Sequence, residues 1–252
     1  MLVREPIPGT VKTRLVPAFG AAGAAALYRA FVEDACARLA PCVPLALACA
    51  PLPATAAAAP SFVARLARRH GVPVMSQGEG DLGARMRGIA TAALASMSGV
   101  VLLGSDVPTL PVARVIAALR ALRSRGVRPP RGVRPRATPT RVVLGPSLDG
   151  GYHLLGLRAP VPDIFRRMPW SSDRVLARTL ARLRRARITP TLLPAWYDVD
   201  TPADVDLLTR HLALLATLGE DRCPRTRRVL ARLRRRHRDA AVRRATTRIA
   251  AS

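Results

Sequence analysis

Lysine is almost absent from this chain of 252 residues: Lys12 stands alone among forty arginines. A sequence that takes arginine wherever a generic cation serves has kept one ammonium, between Val11 and the pair Thr13-Arg14 in the Pro/Gly-punctuated stretch from Pro6 to Leu15. A compact point charge suits a phosphate site, and the plainer alternative is a leftover cation on a solvated turn. Acids are scarce too, sixteen in all, and aromatic residues make up only 4%. With so few rings to stack on bases, the +25 net charge argues for non-specific adhesion to polyanions rather than sequence-reading of nucleic acid. The four cysteines, Cys36, Cys42, Cys49 and Cys223, have no CxxC spacing and no companion histidine cluster, which excludes a zinc site and a disulfide framework and suits a reducing compartment. No apolar run reads as long enough to cross a bilayer, and no basic-then-apolar leader opens the chain, so a cytoplasmic location is expected.

What is present is a hydrophobic fraction of 49%, enough for one full core. Ala24, Leu27, Tyr28, Phe31, Ala35 and Leu39 recur at helical spacing and predict a helix from Ala21 to Leu39. Further helices are expected over Phe62 to His70, Ala84 to Ser96, Val112 to Arg123, Asp173 to Arg187 and Thr201 to Leu218. Strands are expected at Val43 to Cys49, Val72 to Ser76, Val100 to Leu103, Arg141 to Leu144, His153 to Leu155 and Thr191 to Leu193. The apolar run Val100 to Leu103, ending at Gly104, reads as a central parallel strand. This alternation predicts a three-layer α/β/α fold with a mostly parallel sheet over residues 1–218. The Ala/Pro stretch 51–60 reads as a loop. Residues 124–140, where Gly-Val-Arg-Pro occurs twice, read as a disordered insertion. Residues 219–252, with twelve arginines from Arg222 to Arg248, read as a basic extension dispensable for chemistry and without the apolar surface to join the core.

Six of the sixteen acids, Asp81, Asp106, Asp149, Asp198, Asp200 and Asp204, fall in Gly/Pro/Thr-rich segments beside apolar runs, where open α/β sheets hold ligands. Thr201-Pro202-Ala203-Asp204 has the pattern of a capped helix start, which makes Asp204 structural. Gly9 to Thr13 lacks the upstream glycine of a Walker P-loop. Gly78-Glu79-Gly80-Asp81-Leu82-Gly83 matches the dinucleotide fingerprint by letter, but two carboxylates would face a pyrophosphate, and Lys12, Asp149 and the Asp198/Asp200 pair would have no task. A metal-dependent nucleotide site accounts for more of them. Asp106, Asp198 and Asp200 are candidate ligands for magnesium or manganese, with Lys12 and Arg14 as phosphate contacts and Asp106, Asp149 and Asp200 as candidate catalytic carboxylates. For Asp106 alone, a capping or turn role is the competing use. Tyr152, His153 and Trp170 are candidates for an acceptor pocket or for the core.

The ordered segments Pro6 to Leu15, Gln77-Gly-Glu-Gly-Asp-Leu-Gly-Ala-Arg-Met86, Gly104-Ser-Asp-Val-Pro-Thr-Leu110, Gly145-Pro-Ser-Leu-Asp-Gly-Gly-Tyr152, Trp170-Ser-Ser and Asp198-Val-Asp-Thr-Pro202 together resemble a bacterial transferase family. It is the GT-A-fold family associated with radical-SAM and selenodomain proteins, within the nucleotide-diphospho-sugar transferases. The resemblance covers Leu2 to Leu218. It implies a nucleotide-phosphate loop at Gly9, Lys12, Thr13 and Arg14, a base site at Gln77 and the Asp81–Gly83 loop, and Asp106 as metal ligand. It also implies a nucleotide-sugar donor with an unidentified small-molecule acceptor, or, by more distant similarity to guanylyltransferases, nucleotidyl transfer. The chain departs from the pattern at Arg4, where another lysine is usual, in the 124–140 insertion, and at its first strand. Only Met1-Leu2-Val3 precede the phosphate loop, about 10 Å of strand, which raises the expectation that translation begins upstream.

Overall fold

The computed structural model describes residues 1–50, 61–123 and 142–235, so the expected loop 51–60, insertion 124–140 and last basic residues lie outside the described residues. Strand β1 (Leu2–Val3) leads through a loop and a 3-10 turn (Thr13–Leu15) into α1 (Val16–Leu39). Then come β2 (Leu47–Cys49), α2 (Phe62–His70), β3 (Val74–Ser76), α3 (Leu82–Leu94), β4 (Val100–Leu103) and α4 (Val112–Arg123). After them follow β5 (Val142–Pro146), β6 (Tyr152–Leu157), α5 (Val175–Arg185), β7 (Thr191–Leu192), α6 (Pro202–Thr217) and, last among the described residues, helix α7 over residues 224–235.

Strands β1, β2 and β3 pair in parallel, with Leu2 opposite Ala48 and Ala48 opposite Met75. The second sheet has the order β4-β6-β5-β7 and is mixed. Strands β5 and β6 are joined by the short Asp149 loop, and a connection of that length can only bring the chain back antiparallel. Strand β4 is likewise antiparallel, paired with β6 from Val100–Leu157 to Leu103–Leu154, and lies at the end of its sheet. The central parallel placement expected for Val100 to Leu103 is therefore corrected. Four apolar residues report burial, not the direction of the neighbour.

Helix α1 explains how the layers join. Tyr28, Val32 and Cys36 pack toward β1, β2 and α2, while Leu27 and Phe31 pack on the opposite side against Leu208, Leu212 and Leu215 of α6. A helix apolar on two sides must be buried on both. That same composition makes the span Thr13–Leu39 long and apolar enough to cross a membrane, contrary to the sequence expectation; in the fold, Leu27, Phe31, Val32 and Cys36 are fully buried in protein. Gly20, at φ 70°, breaks the helix near its start, which is why periodicity places the beginning at Ala21.

Helix α7 corrects another expectation. Cys223, Leu230 and Leu233 belong to the same core cluster as α1 and α6, so the chain beyond Glu220 does carry apolar surface for the core. Its first turn is anchored by the buried Asp34 of α1, whose carboxylate accepts from Thr226 N at 2.8 Å and Arg225 N at 3.2 Å.

Candidate functional site

The C-terminal ends of β1, β3 and β4 and the β5–β6 loop open into one cavity of about 780 Å³. Lys12, Thr13, Arg14, Gln77, Asp106, Asp149, Asp198 and Asp200 all line it. Segments separated by nearly two hundred residues thus meet at one place. Gly9, Asp81 and Gly83 do not line it. Gly9 takes a turn conformation at φ 82°. Asp81 caps α3, accepting from Ala84 N at 2.8 Å, and thereby fills the helix terminus where the dinucleotide reading needs a pyrophosphate. Gly83 is packing: a Cβ there would stand 2.6 Å from Phe165 O and 2.8 Å from the Trp170 ring.

Lys12 is the hub. It has left-handed backbone, φ 49° and ψ 44°, an uncommon conformation for a residue with a side chain, fixed by the turn in which Leu15 N donates to Lys12 O at 2.9 Å. That geometry turns the side chain inward, leaving it 4% exposed, and the ammonium bridges Asp106 Oδ1 and Asp200 Oδ1, the latter at 2.6 Å. Burial alone would lower the Lys12 pKa, but the two carboxylates more than offset it and leave it raised. The lone lysine therefore sits where a compact ammonium fits, between two acids.

The Asp106 loop is held from several sides. Val199 N donates to Asp106 O at 2.9 Å, and Tyr28 Oη lies 3.0 Å from Ser105 Oγ while accepting from Arg4 N. Arg38 of α1 donates to Leu110 O at 2.8 Å and also to Pro108 O, which in addition receives Cys223 Sγ at 2.9 Å. Trp196 Nε1 donates to Thr109 Oγ1, which donates to Tyr197 Oη. None of these partners was legible as such in the sequence; each contributes one or two atoms at long sequence separation.

Asp198 accepts from Ser147 Oγ at 2.9 Å, and Asp149 Oδ1 accepts from Gly151 N at 2.9 Å. Gly150 between them has φ 86°, and a Cβ there would lie 2.1 Å from Asp173 O, so only glycine permits this loop to dock on the start of α5. Gln77 spends its amide nitrogen on Val3 O (2.9 Å) and Ala48 O (2.8 Å), stitching β1 to β2. His153 packs against Gly145 across the β5–β6 pair, and burial pushes its imidazole down to about 4, keeping it neutral. Tyr152 lines the cavity, whereas Trp170 packs against Gly83.

Burial, opposed by the Ser147 hydrogen bond and reinforced by Asp149, Asp106 and Asp200, pushes the Asp198 carboxyl up to about 7 from an ordinary 3.8. Between those values the folded chain holds a proton that the unfolded chain has lost. Stability therefore falls as pH rises from about 4 through about 7. Asp198→Asn removes this loss, so in chelator its melting temperature, compared with the parent, should gain from pH 5 to pH 8. A constant difference would mean that Asp198 ionises like an exposed acid. Among the described residues, no group of three or more His, Cys, Asp or Glu is already arranged around a metal position.

Residues 34–172, more than half of the chain, match the family DUF2064, described as an uncharacterized protein conserved in bacteria. The chain belongs to this family. It is also similar to a crystal structure from Desulfovibrio desulfuricans G20, a protein assigned provisionally as a nucleotide-diphospho-sugar transferase. The TM-score is 0.75 and the identity 31%, over 93% of this chain and 95% of that one. The fold is accordingly the α/β, GT-A-like fold of nucleotide-diphospho-sugar transferases, as the sequence resemblance implied. No curated protein matches the chain.

Proposed function

We propose that this protein is a metal-dependent transferase that takes a nucleotide-diphospho-sugar as donor and passes the sugar to a small-molecule acceptor. The observation that carries the reading is the meeting of Asp106, Asp149, Asp198 and Asp200 with Lys12 and Arg14 in one cavity at the strand ends. Likeness to the Desulfovibrio protein supports the donor class.

The donor set fits a hard divalent cation. Carboxylate oxygens are what magnesium and manganese take, and burial, with three neighbouring acids adding to it, holds the Asp198 carboxyl up to about 7. Asp106, Asp198 and Asp200 would hold the metal, which when bound neutralises charge on the departing diphosphate. Arg14, which lines the same cavity, would contact phosphate, and Lys12 brings an ammonium between two of the acids. Asp149, whose Oδ1 accepts from Gly151 N, would take the acceptor's proton.

Calorimetry with a panel of nucleotide sugars, with manganese or with chelator, tests the reading. Binding is expected in manganese and at least tenfold weaker in chelator. Equal affinity in both would remove the metal assignment, and a preference for NAD without metal would overturn the transferase reading. Pyrophosphate released from a nucleoside triphosphate in place of sugar transfer would show nucleotidyl chemistry instead.

A further inference from the structure

We propose that Arg85 is a substrate-binding residue of this cavity, gripping the diphosphate of the donor; the assignment rests on the transferase reading above. Helix α3 begins at Leu82, and Leu82, Arg85 and Met86, spaced three and four apart, are the residues it turns into the cavity. The next arginine, Arg87, faces away into a separate hollow with Arg166 and Arg167. Position on the helix thus singles out one guanidinium of this segment for the site.

The charge count around the cavity leaves Arg85 a task. The ammonium of Lys12 is already shared between Asp106 and Asp200, Asp198 is engaged by Ser147, and Asp149 by the Gly151 amide. The remaining cations of the lining are Arg4, Arg14 and Arg85, and among the described residues none of the three forms a salt bridge. Arg4 and Arg14 are exposed and open to solvent. Arg85 is half-buried, and its Nε–H is buried with no acceptor. A buried, unpaired donor on a permanent cation is costly unless a ligand supplies the acceptor. A diphosphate supplies several, and the planar fork of a guanidinium can meet two phosphate oxygens at once. Partial burial also holds the fork in place before the ligand arrives, which the exposed Arg4 and Arg14 do not share.

The test uses the full chain with inorganic pyrophosphate and manganese as the probe. By calorimetry, Arg85→Met is expected to weaken pyrophosphate binding at least tenfold. Arg85→Lys should fall between the two, since it keeps the charge and loses the fork. Melting temperatures without ligand should stay within a few degrees of the parent. Undiminished pyrophosphate affinity in folded Arg85→Met overturns the assignment and leaves the transferase reading standing. If Arg85→Met does not fold, Arg85→Lys decides, and parental affinity in it overturns the assignment equally. A parent protein that binds neither pyrophosphate nor any nucleoside diphosphate in manganese overturns both.

Discussion

A chain ended after Glu220 is expected not to reach a stable folded state, although the sequence read alone makes the basic extension dispensable. The reason lies in what residues 221–235 cover. Leu230 and Leu233 are buried at 3% and 7% exposure against α1 and α6, and Cys223 is fully buried. Each leucine contributes about 1.5–3 kcal/mol by burial. An electrostatic effect of similar size adds to this. Asp34 has a fully buried side chain, and Thr226 N, Arg225 N and the Arg225 guanidinium are its partners. Removing them strands a charge inside the protein, which costs about 3–5 kcal/mol. These losses together are comparable with the whole margin of a typical domain, about 5–15 kcal/mol.

The same segment touches the site. Cys223 Sγ holds Pro108 O, two residues after Asp106, so a truncated chain that did fold would present a looser carboxylate loop. Circular dichroism melts of chains ended at Glu220 and at Arg235 measure the effect, because the longer one keeps every contact named here. A Glu220 chain melting within two degrees of the full protein would mean that α7 is an ornament on the core.

How that segment escaped a reading from sequence is instructive. Cys223, Thr226, Leu230 and Leu233 are spaced three, four and three apart, the stripe of a helix with one buried face, and all four are buried. Seven arginines from Arg222 to Arg235 dilute the stripe in any average over composition. Where the pattern is undiluted, sequence and structure agree. The Thr201–Asp204 capping box forms as expected, with Thr201 Oγ1 accepting from Asp204 N and Asp204 Oδ2 accepting from Thr201 N at 2.7 Å. Helices α2 and α4 and strand β4 occupy the expected residues. Strand direction was not legible at β4, since pairing is decided by residues far along the chain. At the site, scarcity was the useful signal. The only lysine and four of the six acids in turns do converge on the cavity, while Asp81 and Asp204 cap helices, and nothing local could tell that Lys12 would bridge Asp106 and Asp200 across 94 and 188 positions.

That bridge leads to the second large effect. Lys12→Met is expected to lower the stability of the metal-free protein by about 2 kcal/mol. Breaking a buried pair costs about 3–5 kcal/mol, but Asp106 and Asp200 are 39% and 41% exposed, and water screens part of the repulsion left behind. For a chain of this size that corresponds to a fall in melting temperature of roughly 4–8 degrees. Lys12→Arg should not restore the parent, because the longer planar group must enter a space shaped for an ammonium. Under the transferase reading, manganese should raise the melting temperature of Lys12→Met more than that of the parent. In the variant the divalent cation meets two acids with no resident counter-ion, whereas in the parent it competes with one. Scanning calorimetry of the three proteins in chelator and in manganese measures both effects. A Lys12→Met protein as stable as the parent in chelator would show that Asp106 and Asp200 need no internal cation. Equal manganese shifts in variant and parent would place the metal away from the carboxylates that Lys12 holds.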